Sequence, residues 1–186
     1  MNDMALLDNI SSDQALMVLR KIWQRGGEFR KAIESETEGL LKNVNIDEIV
    51  DDITFALGSI DVHDLWDRSG PSSNGYSSPE DMAVEMIEEE LAPFYDQMDR
   101  YHELGMYEEE KLQCMGVLKG LYDYEKGADS EFSDWASDIS AECFSFLLKK
   151  WMQRSSDIHH KKEMTEFVQV NCPDWVKENT ICKNSW

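Results

Sequence analysis

One short segment near the middle of the chain gathers side chains that could recognise a ligand. It holds three acids, an imidazole, a guanidinium and two aromatic rings: Asp61, His63, Asp64, Trp66, Asp67, Arg68 and Tyr76. An aromatic ring and an arginine on a loop-bounded helix are typical of a site that binds a peptide or a small ligand. We call this segment the recognition corner.

The same residues also allow a purely structural interpretation. Asp61 then caps a helical turn and Trp66 packs in the core. Asp64 and Arg68 are four residues apart, so they could form an ion pair along one helix. The sequence leaves both interpretations open.

A second set of acids, which we call the acidic face, lies on one side of a predicted helix: Glu85, Glu89, Asp96, Asp99 and Glu103. Helical carboxylates can bind metals, as in di-iron bundles that carry Glu-x-x-His on two helices. Here that spacing occurs once, at Asp99 and His102, and with Asp. The opposite side of the helix is apolar, which favours a solvated face of an amphipathic helix. We therefore expect neither a metal nor a cofactor.

The patterns typical of catalysis are missing from the sequence. G-x-S-x-G, G-x-G-x-x-G and G-x-x-x-x-G-K-[ST] do not occur. The four cysteines form no C-x-x-C, and His159-His160 with a cysteine has no zinc-ligand spacing. We expect no catalytic residues and a protein that is not an enzyme.

The net charge of -20 is concentrated in the middle of the chain. Residues 44–145 hold 26 Asp and Glu against 5 Lys and Arg, whereas residues 1–43 hold 7 against 6 and residues 146–186 hold 5 against 7. Nucleic acids and anionic membranes both require basic side chains. The charge thus argues against either as a direct partner and favours a basic protein.

The first residues lack the basic and apolar regions of a signal peptide, and no apolar run reaches the length of a membrane span. The cysteines are then expected to be free thiols in a reducing compartment. These observations predict a cytoplasmic protein.

Helix signals recur along the whole chain. Ser11 and Gln14 form a capping box, Ser78-Pro79 is a strong helix start, and Gly105 is a typical helix end. Pro93 predicts a kink or a break near Ala92. The predicted helices cover about residues 12–25, 29–41, 45–57, 61–67, 79–104, 107–124, 133–153 and 157–170, with a last turn after Pro173.

No segment alternates with a period of two, so we expect no strands. The predicted fold class is all-α, a series of antiparallel helical hairpins that forms a bundle or a short α-solenoid, tetratricopeptide-like at most. Gly116 and Gly120 lie four residues apart within one helix. Glycine is costly there, which suggests that a neighbouring helix approaches closely.

We expect residues 1–186 to form one helical domain. Within it, residues 1–43 form a helical pair that could pack separately, residues 68–78 a loop, and residues 154–186 a C-terminal helical extension. The oligomeric state is open. A dimer would use the near-neutral flanks or the tryptophan-rich end. Trp175 and Trp186 at that end could either form such a contact or pack on the core.

Several segments resemble a helical family of prokaryotes: Asp61–Gly70, Gly75-Tyr76, Glu88–Phe94 and Glu103–Met106. Members of that family include helical regions that accompany SWIM-type zinc fingers. The resemblance covers about residues 45–152 and implies a helical-hairpin fold. The C-x-C…C-x-H ligands of the finger have no counterpart, and the resemblance carries no catalytic residues to this chain.

Three functions are compatible with these features. The first is a non-enzymatic interaction domain that presents an acidic helical surface to a basic protein partner. The second is a DNA mimic or nucleoprotein-associated regulator, whose carboxylates imitate phosphates toward a basic protein. The third is a carboxylate-metal enzyme within the helical core.

Overall fold

A computed structural model of the protein describes residues 9–72, 75–127, 131–136 and 138–178. These residues form ten helices and one two-stranded antiparallel sheet. The predicted all-α fold class is confirmed. The chain divides into two compact units, Met1–Asn43 and Val44–Trp186.

The first unit is a hairpin of two helices, α1 (Ser12–Gln24) and α2 (Gly27–Lys42). The predicted capping box is present: Gln14 N–H donates to the Ser11 hydroxyl at 3.3 Å, and Ser11 N–H donates to the Gln14 side chain at 2.9 Å. Gly26 joins the helices with a φ of 72°. No residue of α1 or α2 is buried.

The second unit contains the remaining elements. In chain order they are α3 (Ile46–Gly58), α4 (Val62–Arg68), β1 (Gly70–Ser72), β2 (Gly75–Ser77), α5 (Pro79–Glu103), α6 (Tyr107–Gly127), α7 (Glu131–Trp135), α8 (Ile139–Arg154), α9 (Ile158–Asn171) and α10 (Pro173–Glu178).

Helix α6 is the centre of this unit and contacts α3, α5, α8 and α9. Its middle is buried on every side, from Gln113 to Leu118. A Cβ added at Gly116 would lie 2.7 Å from the Ile49 Cβ, and one at Gly120 would lie 2.9 Å from the Ile53 Cβ. Both glycines therefore let α3 approach α6, as predicted.

The ends of the elements follow local signals. Ser78 caps α5, with Asp81 N–H donating to its hydroxyl at 3.1 Å. At the other end Gly105 has a φ of 71°, and Met106 N–H donates to the Tyr101 carbonyl at 2.9 Å. This is the left-handed termination that the glycine predicts.

The structure differs from the sequence-based expectations at three places. Residues 70–72 and 75–77 pair as short strands, with Pro71 opposite Tyr76, where a loop without strands was expected. Three-residue strands are too short to show a period of two. Of the kink or break expected near Ala92, the break does not occur, because helix α5 continues through Pro93. Pro93 is exposed, so the missing donor lies at the solvated side.

The predicted helix over residues 133–153 is divided into α7 and α8. Bonds from Ala136 N–H to the Ser133 carbonyl and from Ile139 N–H to the Ala136 carbonyl form a tight turn between them. The turn lets α7 contact α4 and α5 while α8 packs on α6.

The C-terminal tryptophan of the described chain packs in the core. Trp175 contacts Tyr122 and Phe144 edge-on, with ring centroids 5.1 and 5.0 Å apart. Of the two tryptophans expected either to pack on the core or to form a dimer contact, Trp175 is thus buried in its own chain, and Trp186 lies outside the described residues.

Candidate functional site

The recognition corner lies on α4 and the short sheet. Asp61 caps α4 and accepts a hydrogen bond from His63 N–H at 2.8 Å, as the structural interpretation requires. Trp66 is not a core residue: 43% of it is exposed, and its ring meets the Trp135 ring edge-on at 5.1 Å. The remaining acids of the corner, Asp64 and Asp67, are exposed.

Arg68 pairs with a different acid from the one expected. Its guanidinium donates to the Glu89 carboxylate on α5 at 2.7 Å, and Asp64 is not its partner. That hydrogen bond raises the pKa of Arg68 above its ordinary value. Arg68 thus joins the recognition corner to the acidic face. Tyr76 is exposed on β2.

The residues of the acidic face lie in two different environments. Glu85, Asp96 and Glu103 are exposed and have no ion pair among the described residues. Glu89 is held by Arg68, and Asp99 is paired with Arg154 and lies 3.5 Å from the Lys150 ammonium. Only part of this face therefore carries unneutralised charge.

Ion pairs of the second unit concentrate where the C-terminal part of α5 meets α6, α8 and α9. Among the described residues of α3, α4 and the first half of α5, we find one ion pair, between Arg68 and Glu89. The exposed acids there include four on α3: Asp47, Glu48, Asp51 and Asp52. The chain's negative charge is therefore neutralised at one end of this unit and left free at the other.

Glu110 on α6 is the most enclosed acid of the neutralised end. Its side chain is 4% exposed. One oxygen accepts from Arg154 Nε at 2.6 Å, and the other lies 2.9 Å from His102 Nδ1. An open cavity of about 310 Å³ adjoins this cluster and is also lined by Trp151 and His160. Since both carboxylate oxygens are engaged, the geometry suits a structural clamp better than an attacking group.

A neighbouring cluster has the donor types of a metal site. Atoms of Glu108, His160 and Glu163 lie within 4.8 Å of one another. The buried ammonium of Lys111 already donates to Glu108, at 2.8 Å, and to Glu163. Burial alone would lower the pKa of Lys111, but these two hydrogen bonds outweigh it and raise the pKa. An internal cation thus supplies the charge that a metal would bring.

A third feature is an apolar groove between α5 and α8. Its open volume is about 410 Å³, and its lining residues are Val84, Glu88, Tyr95, Ile139, Glu142, Cys143 and Phe146. Phe146 is 66% exposed. The two glutamates stand in the same groove as the apolar side chains, and they have no ion pair among the described residues. We call this feature the acid-lined groove.

The thiol in the groove is not set up as a nucleophile. Burial raises the pKa of Cys143 to about 11, and the charges of Glu88 and Glu142 act in the same direction. A thiol with that pKa is almost entirely protonated at neutral pH. Cys143 contributes apolar surface and a hydrogen bond with Tyr95.

Sequence reasoning missed the groove, although a signal was present. Phe146 and Leu147 are adjacent in the apolar stripe of α8. Neighbouring residues on a helix point about 100° apart, so both can be buried only on a broad contact face. Leu147 is 3% exposed and Phe146 is on the outside.

Searches with family models, among curated proteins and among solved structures find no match for this chain. The resemblance to helical regions that accompany SWIM-type zinc fingers stays a prediction. None of the described helices combines the length and apolarity needed to cross a membrane.

Proposed function

We propose that this protein is a non-enzymatic interaction domain that presents its unneutralised acidic surface to a basic protein partner. The observation that carries the proposal is the acid-lined groove, which places exposed apolar side chains between two carboxylates without ion pairs. The exposed acids of α4 and α5 extend the negative surface beside it.

The groove favours a partner helix that is amphipathic. Phe146 and Val84 offer apolar surface for one or two branched or aromatic side chains. Glu88 and Glu142 would pair with Lys or Arg on the flanks of that anchor. An amphipathic helix in an apolar groove is a common mode of peptide recognition. The acidic surroundings would also accelerate the encounter with a basic segment.

Two further parts of the proposal concern family and compartment. We infer a cytoplasmic location, which is supported by the free thiols of Cys114, Cys143 and Cys172. We also infer kinship with the helical regions that accompany SWIM-type fingers, on the sequence segments given above. A DNA mimic would share the acidic surface but would need no apolar anchor. Binding that depends on the apolar side chains of the groove would therefore distinguish the interaction domain from the DNA mimic.

The test uses a synthetic peptide that places Leu on one helix face and Lys elsewhere, with a scrambled peptide of the same composition as its control. Binding is measured by fluorescence anisotropy at low and at moderate salt. We expect the ordered peptide to bind more tightly than the scrambled one, and salt to weaken both. Equal binding of the two peptides would favour the DNA mimic.

Variants locate the binding surface. Phe146→Ala and the pair Glu88→Gln with Glu142→Gln should each weaken binding of the ordered peptide about tenfold, a typical loss for an anchor residue or for neutralised flanking charges. Phe55→Ala is the matched control, because Phe55 is 77% exposed on α3 and does not line the groove. An unchanged affinity in both groove variants would exclude the acid-lined groove as the binding site.

A further inference from the structure

The α1–α2 hairpin carries an apolar surface that the described residues of its own unit do not cover. Side chains that are at least 40% exposed include Leu16, Met17, Val18, Leu19 and Trp23 on α1 and Phe29 and Leu40 on α2. Two short helices in water are marginal unless an apolar face is packed. A hairpin in which no residue is buried lacks that packing.

Three of the exposed apolar residues of α1 form a continuous face. Leu16, Leu19 and Trp23 follow the three-and-four spacing that places side chains on one side of a helix. Arg30 covers part of the Trp23 ring from 4.0 Å, and the indole N–H donates to Glu34 at 3.4 Å. Both of these contacts come from α2, and the leucines remain exposed.

Charge indicates what can cover this face. Residues 12–42 hold five acids and six bases, whereas residues 44–186 hold 31 acids and 12 bases. Two copies that meet through their second units would bring like charges together, which is unfavourable. Two copies that meet through the hairpins would not.

The hairpin is also complementary to a second copy of itself. Helix α1 carries two bases, Arg20 and Lys21, against one acid, Asp13, whereas α2 carries four acids against three bases. A two-fold axis makes each contact occur twice, with α1 of one copy beside α2 of the other. The net charges of the two helices, +1 on α1 and -1 on α2, then attract rather than repel on both sides of the axis.

We propose that the chain is a homodimer in which two α1–α2 hairpins pack into a four-helix bundle. Leu16, Leu19 and Trp23 form its buried seam together with Phe29. Such bundles are stabilised by apolar seams at this spacing. The dimer would present two acid-lined grooves, but it does not depend on their binding any partner.

Light scattering of the full chain tests the proposal. The expected mass is about twice the 21.5 kDa of one chain, falling to one chain in the variant Leu16→Glu with Leu19→Glu. Glutamate has a helix propensity close to that of leucine, so the substitutions act on the seam. Phe55→Glu on α3 is the control and should leave the dimer mass unchanged. A wild-type mass of one chain at about 0.1 mM protein would overturn the proposal, since it would put Kd at about 1 mM or weaker.

Hydrogen exchange of the wild-type chain tests the same contact without any substitution. Amides of α1 and α2 should lose protection on dilution, because dilution dissociates the dimer, whereas amides of α6 should keep theirs. Protection of α1 that persists at a concentration where light scattering gives the mass of one chain would mean that the same chain covers the face. No protection at any concentration would mean that nothing covers it. Either result overturns the homodimer.

Discussion

Glu110 has a 4% exposed side chain, and both its carboxylate oxygens are engaged, by Arg154 and His102. Removing one partner of a buried pair is costly because it leaves an uncompensated charge. We expect Arg154→Met to lower the free energy of unfolding by about 3 kcal/mol. Urea unfolding followed by circular dichroism measures this change.

The same pair provides its own control. Arg154→Met combined with Glu110→Gln removes both charges, and we expect it to recover most of the lost stability. Lys162→Met breaks an exposed pair with Glu166 and should change stability by less than about 0.5 kcal/mol. If the double variant is no more stable than Arg154→Met alone, the buried charge is not the cause of the loss.

Asp99 gives the neutralised end of the molecule a dependence on pH. Burial opposes ionisation of Asp99, but the Arg154 hydrogen bond and the Lys150 charge outweigh it and lower its pKa. A lowered carboxyl pKa contributes stability above the unfolded value of about 3.9, and this contribution is lost as the pH falls through the folded value. Asp99→Asn should therefore destabilise the protein at neutral pH and have a smaller effect near pH 3.

Urea midpoints between neutral pH and about pH 3 check the prediction for Asp99. Asp96→Asn is the matched control, because Asp96 is an exposed acid of the same helix without an ion pair among the described residues. A loss of stability in Asp99→Asn that is equal at both ends of the pH range would contradict the ion-pair explanation.

At the scale of elements, the contact between α3 and α6 depends on two glycines. Alanine at Gly116 would place its Cβ 2.7 Å from the Ile49 Cβ, which is too close unless the helices separate. Overpacking of this kind costs about 1–3 kcal/mol and outweighs the gain of about 1 kcal/mol from the better helix former. We expect Gly116→Ala to lower the thermal midpoint.

Gly58→Ala is the control for this contact, because a Cβ at Gly58 would have no atom within 4 Å and its φ is not in the left-handed region. It should leave the thermal midpoint unchanged or slightly higher. A Gly116→Ala variant as stable as Gly58→Ala would show that α3 and α6 separate at no cost.

Local signals predicted the elements well because their causes are local. Ser11, Ser78 and Gly105 act through bonds to residues at most five positions away, so their roles are visible in the sequence. Gly116 and Gly120 were informative because glycine destabilises the interior of a helix, so its presence there indicates a close contact with another element.

Contacts between distant segments could not be predicted in the same way. Arg68 had an acid four residues away, at Asp64, yet its partner is Glu89, 21 residues along the chain. The Arg154–Glu110 bond spans 44 residues. Charge attracts without regard to sequence position, so the choice among many acids is made by the packing of the helices. The acid-lined groove belongs to the same class, since it forms only where α5 and α8 meet.

At the scale of the whole molecule, the acidic residues have two different roles, and the distribution of ion pairs shows which residues have which role. The acids near Glu110 and Glu163 are held by Arg154 and Lys111, so they hold α5, α6, α8 and α9 together. The acids of α3 and α4 outnumber the bases of these helices, where Arg68 is the one base and forms its ion pair with Glu89 on α5, so they contribute repulsion. The excess charge is therefore a cost to stability that a basic partner would relieve.

That cost leads to a prediction about salt. Repulsion among exposed charges is screened with a Debye length of about 10 Å at 0.1 M salt, whereas buried pairs such as Arg154–Glu110 are screened much less. The thermal midpoint should therefore rise between about 10 mM and about 150 mM sodium chloride at neutral pH. Asp64→Asn with Asp67→Asn should raise the midpoint at low salt and reduce its dependence on salt.

A basic partner should have the same effect as added salt. The amphipathic Lys and Leu peptide should raise the thermal midpoint at low salt by more than sodium chloride of the same ionic strength. If the midpoint instead falls as salt is added, the stabilising ion pairs outweigh the repulsion, and the acidic surface imposes no cost for a partner to relieve.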